Sequence, residues 1–315
     1  MKKYILYALG IIVVILVFQF TFGGSTDKET LRSTDKGEVI GKIEGDNFVW
    51  RGIPFAKPPV GELRWRAPIE PDNWEGTLEA LESSEACFQP DGMSMLGQGG
   101  GWSGSEDCLY LNVWSPKETN GKKLPVMMWI HGGGNRMGSA SGYDPQAMVS
   151  KQDVVVVVVQ YRMSTLGWFR HPSLRDNTTS AEDNSGNFGT LDTIMALRWI
   201  QKNITSFGGD ESNVTIFGES AGGHNVAALY ASPLAEGLFH KAIVQSGIVS
   251  TASAIQAESY YPETRISGTV SSKEMVNSLL ISDDLASSVT EATKVQDSMS
   301  NKELSEYLKS KSPAE

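Results

Sequence analysis

The middle third of the chain alternates between short apolar runs and a longer amphipathic segment. Val126 to Ile130 and Val154 to Tyr161 are apolar runs with β-branched residues, as expected for strands that are covered on both faces. A helix is predicted from about Thr190 to Thr205, because its isoleucine and leucine residues recur near the i, i+3 and i+7 spacing of one buried face. Strands that are covered on both faces, such as the two predicted here, occupy the centre of a sheet.

The alternation continues in the same rhythm further along the chain. It predicts three more elements, which are a strand at Val214 to Phe217, a helix from about Ala221 to Ala231 and a strand at Ala242 to Gln245. Strand, helix and strand in this order imply a parallel or mixed sheet with right-handed crossovers. After Ser250 the chain has helical composition, as at Lys273 to Leu280 and Lys302 to Lys309, and no convincing strand follows. We therefore expect an α/β fold whose last helices lie over the sheet.

The first 24 residues differ from the rest of the chain. Lys2 and Lys3 precede an apolar stretch, residues 4–22, which indicates an export signal. About 20 apolar residues can span a bilayer, whereas a cleaved signal usually has an apolar stretch of about 7–15. An uncleaved anchor is favoured, with the domain on the non-cytoplasmic side of the membrane. If the signal is cleaved, the protein is secreted or periplasmic.

Residues 25–36 are polar, charged and without periodicity, so we predict a tether there. The globular domain is expected to occupy residues 37–315. Its 40% hydrophobic content suffices for a substantial core. The formal net charge of −10 repels phosphate backbones, which argues against a nucleic-acid partner. No metal-ligand cluster or nucleotide motif in a suitable context appears, so no cofactor is expected.

Two cysteines, Cys87 and Cys108, make an even count. Export to an oxidising compartment would favour a disulfide between them. Two unrelated buried thiols are the alternative.

The main candidate for chemistry is Ser220, in the sequence Gly218-Glu219-Ser220-Ala221-Gly222. This G-x-S-x-G pattern lies between a predicted strand and a predicted helix, as a nucleophile elbow requires. Glycines on both sides let the backbone turn sharply and lift the serine hydroxyl above the sheet. The alternative is a glycine-rich turn with an ordinary surface serine.

A second glycine motif, His131-Gly132-Gly133-Gly134, directly follows the strand that ends at Ile130. Consecutive glycines expose backbone N–H groups that can stabilise an oxyanion. A flexible turn is the alternative for this segment alone. We interpret His131 as part of the loop's scaffold rather than as a base.

Several stretches occur together in the order that is typical of one family. They are Gly52 to Ala56 with Pro58 to Gly61, Glu106 to Val113, the loop of His131 to Gly134, Phe207 to Asp210, and the Ser220 elbow. The chain resembles the type B carboxylesterases, the cholinesterase-like family, over about residues 37 to 310. The resemblance implies an α/β-hydrolase fold with a central mixed, mostly parallel sheet flanked by helices, and carboxylic esters as small-molecule substrates.

The resemblance also implies roles for individual residues. Ser220 would be the nucleophile, and the N–H groups of Gly133, Gly134 and Ala221 would form the oxyanion hole. Glu219 matches an acidic residue that lines the site in this family. Pairing of Cys87 with Cys108 is supported because Cys108 falls at the family's disulfide position.

The chain also departs from the family pattern. In this fold a triad acid and then a histidine follow the serine, yet none of the four histidines, His131, His171, His224 and His240, lies in the expected downstream place. We expect that the C-terminal strands of the fold are missing and that the chain alone is nearly inactive. Asn135 stands where the family commonly has an aromatic residue, so the acyl pocket is not inferred. A non-catalytic binding module, as in the neuroligins, or an inactive fragment is the alternative.

Overall fold

A seven-stranded mixed sheet forms the centre of the domain in the computed structural model, which describes residues 26–91, 100–175, 180–248, 251–260 and 270–315. In chain order the strands are β1 (Arg32–Ser33), β2 (Glu38–Ile40), β3 (Lys42–Glu44), β4 (Asn47–Pro54), β5 (Thr77–Glu79), β6 (Gln89–Pro90), β7 (Trp102–Ser103), β8 (Tyr110–Pro116), β9 (Leu124–Ile130), β10 (Val155–Val159), β11 (Gly209–Glu219) and β12 (Lys241–Gln245). The large sheet has the order β12-β11-β9-β10-β8-β4-β3. Strands β1, β2 and β5 form a small second sheet, and β6 pairs with β7.

The predicted strands are confirmed, and they form the parallel half of the large sheet. Strands β12, β11, β9 and β10 pair in parallel, whereas β8, β4 and β3 continue the sheet in antiparallel pairs. All five valines of β10 are buried. Val155, Val157 and Val159 face one hydrophobic core, and Val156 and Val158 face the other. The continuous apolar run is thus a strand covered on both faces.

Eight α-helices are described around the sheet. They are α1 (Gln146–Gln152), α2 (Ser164–Gly167), α3 (Phe188–Asn203), α4 (Ala221–Ala231), α5 (Ala254–Glu258), α6 (Ser272–Ser282), α7 (Val289–Ser298) and α8 (Asn301–Ser310). The predicted helix at Thr190 to Thr205 is α3, which a 3₁₀ turn at Ile204–Phe207 continues before the left-handed Gly208 ends it. Helix α4 has the predicted bounds.

Two of the last three helices pack on each other, and the third packs on a turn of the domain. Helix α6 contacts α7, and α8 contacts the 3₁₀ turn at Pro172–Leu174. Capping boxes at Ser271 and Ser300 fix the starts of α6 and α8. A buried hydrogen bond of 3.3 Å from His171 Nε2 to Gln296 Oε1 joins this layer to the domain. Among the described residues, no strand follows β12.

In the segment predicted as a tether, residues 25–36, the described residues 26–36 pack against the domain. The side chain of Thr30 is fully buried, and its carbonyl oxygen accepts a hydrogen bond of 2.7 Å from Trp50 Nε1. Strand β1 pairs with β2. The polar composition does not indicate this packing, because the segment is held largely through its backbone and hydroxyl groups.

The predicted export signal, residues 1–24, lies outside the described residues. Across the described ranges, no helix combines the length and the apolar character that crossing a membrane requires.

Cys87 and Cys108 form a disulfide, which confirms the predicted pairing. Both residues are buried, and they are separated by 21 positions. Closing a loop of this size stabilises a fold by about 3 kcal/mol, because it removes conformations from the unfolded chain.

Strand β12 forms an exposed edge of the large sheet. All five of its residues are exposed, and the exposed fractions of Ile243 and Val244 are 43% and 44%. In the described part of the chain, β12 pairs only with β11. An unpaired apolar edge is a template for pairing with another chain.

We therefore expect Val244→Lys to reduce self-association of the isolated chain, since a charged edge opposes intermolecular strand pairing. Sedimentation velocity at several protein concentrations measures the effect. Val289→Lys, at the exposed start of α7, adds the same charge away from the edge and serves as the matched control. Equal association of Val244→Lys and the unchanged chain would show that β12 is not the contact.

Candidate active site

The elbow predicted around Ser220 is present as a strand, a sharp turn and a helix. Strand β11 ends at Glu219, and α4 begins at Ala221. Between them Ser220 has φ 54° and ψ −120°, a strained backbone conformation for a residue other than glycine. Its N–H donates to the carbonyl oxygen of Gln245 at 2.9 Å. The strained turn leaves the Ser220 side chain half-buried at the edge of the sheet.

Gly222 makes this turn possible. A Cβ atom at Gly222 would lie 2.0 Å from the carbonyl oxygen of Ile130. Backbone atoms at that distance cannot be moved aside, so only glycine fits. Gly222 therefore lets α4 pack closely against the end of β9.

The glycine loop and the elbow lie side by side. Strands β9 and β11 are parallel neighbours, and Gly218 is paired with Ile130 in their register. Because both segments leave carboxyl ends of adjacent strands, they meet at the same edge of the sheet. A Cβ atom at Gly132 would lie 3.3 Å from Ser220 Cβ and 2.7 Å from the Glu219 carbonyl oxygen.

The two glycines that follow are exposed on the open side of the loop. Gly133 and Gly134 have φ values of 108° and 65°, in the left-handed region that favours glycine. Ala221 is buried at the first position of α4, where backbone N–H groups have no partner within the helix. The exposed side chain of Glu219 lies beside the same loop, since its Oε2 would be 3.2 Å from a Cβ atom at Gly132.

His131 anchors the start of the glycine loop. Its ring is fully buried, stacks on Tyr161 with 4.5 Å between ring centroids, and places Nδ1 2.9 Å from the Gly132 carbonyl oxygen. The Tyr161 hydroxyl donates to the carbonyl oxygen of His131 at 2.7 Å. Burial lowers the pKa of His131 to about 4, so the ring is neutral at pH 7. These contacts favour a structural role for His131.

The other three histidines lie in different surroundings. His171 Nδ1 contacts Ser173 Oγ at 2.7 Å, and His240 Nδ1 accepts a hydrogen bond from the Val214 N–H at 3.1 Å. His224 is half-buried on α4, and its N–H donates to the Ser220 carbonyl oxygen in the first turn. In the part of the chain that the structure describes, no histidine is hydrogen-bonded to the Ser220 hydroxyl. Within the same residues, no cluster of three or more His, Cys, Asp or Glu side chains is placed to hold a metal ion.

The match to known proteins covers nearly all of the described domain. The family model described as "Carboxylesterase family" matches residues 28–314. The chain belongs to the carboxylesterase family. A para-nitrobenzyl esterase of Bacillus subtilis is 44% identical over 229 residues, which are 72% of this chain and 45% of the relative. A fumonisin B1 esterase of Sphingopyxis macrogoltabida is 46% identical over 223 residues, which are 70% of this chain and 40% of the relative.

Solved carboxylesterases have the same fold. A carboxylesterase of Geobacillus stearothermophilus is similar with a TM-score of 0.59 and 45% identity, over 68% of this chain and 43% of that chain. A PNB esterase is similar with a TM-score of 0.69 and 35% identity, over 89% of this chain and 54% of that chain. These likenesses confirm the α/β-hydrolase fold. The chain spans about half the length of the curated carboxylesterases that it matches.

Sequence reasoning missed one polar contact of the candidate site. Asn225 on α4 is buried, and its Nδ2 donates to Asn135 Oδ1 at 3.0 Å. In the sequence, Asn135 is notable only as a departure from the family pattern. The available signal was an amide on the otherwise apolar buried face of α4, which requires a partner.

Proposed function

We propose that this chain carries the nucleophile and the oxyanion hole of a serine carboxylic ester hydrolase. Ser220 Oγ attacks the ester carbonyl carbon and transfers its proton to a base, and the carbonyl oxygen becomes an oxyanion. N–H groups of Gly133, Gly134 and Ala221 donate hydrogen bonds to that oxygen. The alcohol leaves with a proton, and water then hydrolyses the acyl-enzyme to the acid and free Ser220.

The approach of Gly132 to Ser220 is the single observation that carries this proposal. It brings N–H donors and a serine held in a strained turn to the same point, as acyl transfer requires. The positive end of the α4 dipole adds stabilisation for negative charge beside the elbow. The relatives' names support ester substrates, and we infer a small-molecule carboxylic ester for this chain.

The base and the triad acid are expected to come from outside this sequence. This expectation is supported by the ring contacts of His131, His171 and His240, which are with groups other than Ser220. Loss of the histidine in a triad enzyme costs on the order of 10⁶ in turnover, leaving about 10³–10⁴ over water. This isolated chain is therefore expected to hydrolyse esters slowly.

The compartment is part of the proposal. We infer that the protein is exported, either anchored through residues 4–22 or secreted or periplasmic after cleavage. The buried disulfide supports an oxidising compartment. Fractionation of cells that produce the chain, followed by extraction with and without detergent, distinguishes the anchored from the released form.

Covalent labelling with a fluorophosphonate tests the proposed chemistry. We expect slow labelling of Ser220, seen as an added mass on the intact protein and located by peptide mapping, and hydrolysis of p-nitrophenyl esters barely above background. Ser220→Ala should abolish labelling, and Ser141→Ala, at an exposed serine, should leave it unchanged. Labelling of the Ser220→Ala protein at the same rate would refute Ser220 as the nucleophile. A complete lack of labelling in the unchanged chain would favour a non-catalytic binding module.

A further inference from the structure

We propose that Asn135 and Asn225 are positioning residues that hold the oxyanion loop, residues 131–135, against the helix that follows the nucleophile. This inference rests on the proposed function. Asn135 directly follows Gly134, and Asn225 lies on α4 five positions after Ser220. The hydrogen bond from Asn225 Nδ2 to Asn135 Oδ1 is 3.0 Å long, and Asn225 is only 4% exposed. The contact therefore joins the two halves of the site through a partly buried hydrogen bond.

Asn225 binds one end of the loop and lies near the group that holds the other end. Its side chain also lies near the Tyr161 hydroxyl, which donates to the carbonyl oxygen of His131 at 2.7 Å. His131 begins the loop and Asn135 ends it. One buried amide on α4 thus binds the residue at which the chain leaves the loop, and it lies near the hydroxyl that holds the residue at which the chain enters it.

The backbone of Asn135 is held as firmly as its side chain. Asn135 has φ 55°, in the left-handed region that asparagine tolerates better than most other residues. Its carbonyl oxygen accepts a hydrogen bond of 2.6 Å from the Ser164 N–H. The side chain and the carbonyl group thus hold Asn135 from two directions.

The loop needs such anchors because packing does not fix its open side. Gly134 is exposed, and a Cβ atom there would have no neighbour within 4 Å. The direction of its N–H group therefore depends on the residues that hold the loop ends. A displacement of about 1 Å in a catalytic group can lower a rate about 10²-fold, so a loosened loop exit has a measurable effect.

A double-mutant cycle on this chain tests the pair. Asn135→Gly removes the side chain while keeping the left-handed backbone, and Asn225→Ala removes the partner amide. Each single variant should exchange the amide hydrogens of Arg136 and Met137, which donate to the Gly133 carbonyl oxygen, at least about tenfold faster, with no further acceleration in the double variant. The rate of fluorophosphonate reaction at Ser220 should fall at least about tenfold in each, while the reversible binding of the reagent changes little.

The control removes an equally buried amide elsewhere. Asn203 on α3 donates to the Trp199 carbonyl oxygen, away from the elbow, so Asn203→Ala should lower the melting temperature without changing loop exchange or labelling. Additive effects of Asn135→Gly and Asn225→Ala on exchange, or unchanged exchange in both, would overturn the proposal. If the unchanged chain is not labelled at all, the proposed function fails, and the exchange cycle still decides whether the pair holds the loop.

Discussion

Gly132→Ala is expected to lower the rate at which a fluorophosphonate labels Ser220 by about 10²–10³-fold, the effect of losing one oxyanion-hole donor. The new methyl group would lie 2.7 Å from the Glu219 carbonyl oxygen and 3.3 Å from Ser220 Cβ. A backbone oxygen cannot rotate away, so the loop itself must move away from the elbow. The proposed oxyanion-hole donors, the N–H groups of Gly133 and Gly134, would then be displaced from Ser220.

Gly142→Ala provides the matched control for this substitution. Gly142 ends a 3₁₀ turn, and a Cβ atom there would meet nothing within 4 Å. Neither Gly132 nor Gly142 has a positive φ, so the two variants differ in the room available for the new methyl group and not in backbone strain. Labelling rates from intact-mass time courses, with melting temperatures as a check on folding, measure the difference. A Gly132→Ala protein that folds and reacts at the unchanged rate would rule out a close approach of the loop to Ser220.

Asp192→Ala is expected to lower the free energy of unfolding by about 3–5 kcal/mol, because it leaves a buried charge without its partner. Arg162 follows β10, and Asp192 lies on α3 with a completely buried side chain. Arg162 Nη2 donates to Asp192 Oδ1 at 2.6 Å and Arg162 Nε donates to Asp192 Oδ2 at 2.9 Å. The Arg162 backbone N–H also donates to Oδ2 at 3.0 Å. One carboxylate therefore compensates the guanidinium and satisfies a buried backbone donor.

Urea unfolding followed by tryptophan fluorescence measures this loss. The double variant Arg162→Met/Asp192→Leu should recover at least half of it, since two apolar side chains of similar size avoid the unpaired charge and leave only the Arg162 backbone N–H and the Arg66 carbonyl oxygen without these partners. Glu306→Ala, which breaks the exposed ion pair with Lys302, should change the urea concentration at the midpoint of unfolding little. A double variant no more stable than Asp192→Ala would show that the unpaired charge of Arg162 is not the cause of the lost stability.

The sequence predicts best what local periodicity encodes. The bounds of α4 match its prediction, and the five buried valines of β10 lie within the predicted strand. The antiparallel strands β3, β4 and β8 were not predicted, because their runs alternate irregularly or contain proline and glycine. Helix α7 was also missed, since few of its residues are buried and its apolar face is narrow.

Within the candidate site, the sequence by itself determined the elbow at Ser220 and the glycine triplet after β9, because a strand, a glycine turn and a helix are local patterns. Only the tertiary structure placed Gly132 against Ser220, joined Asn135 to Asn225 and paired Arg162 with Asp192. These contacts connect residues that are 30 to 90 positions apart. No local pattern carries that information, since it depends on which strands become neighbours and in which register they pair.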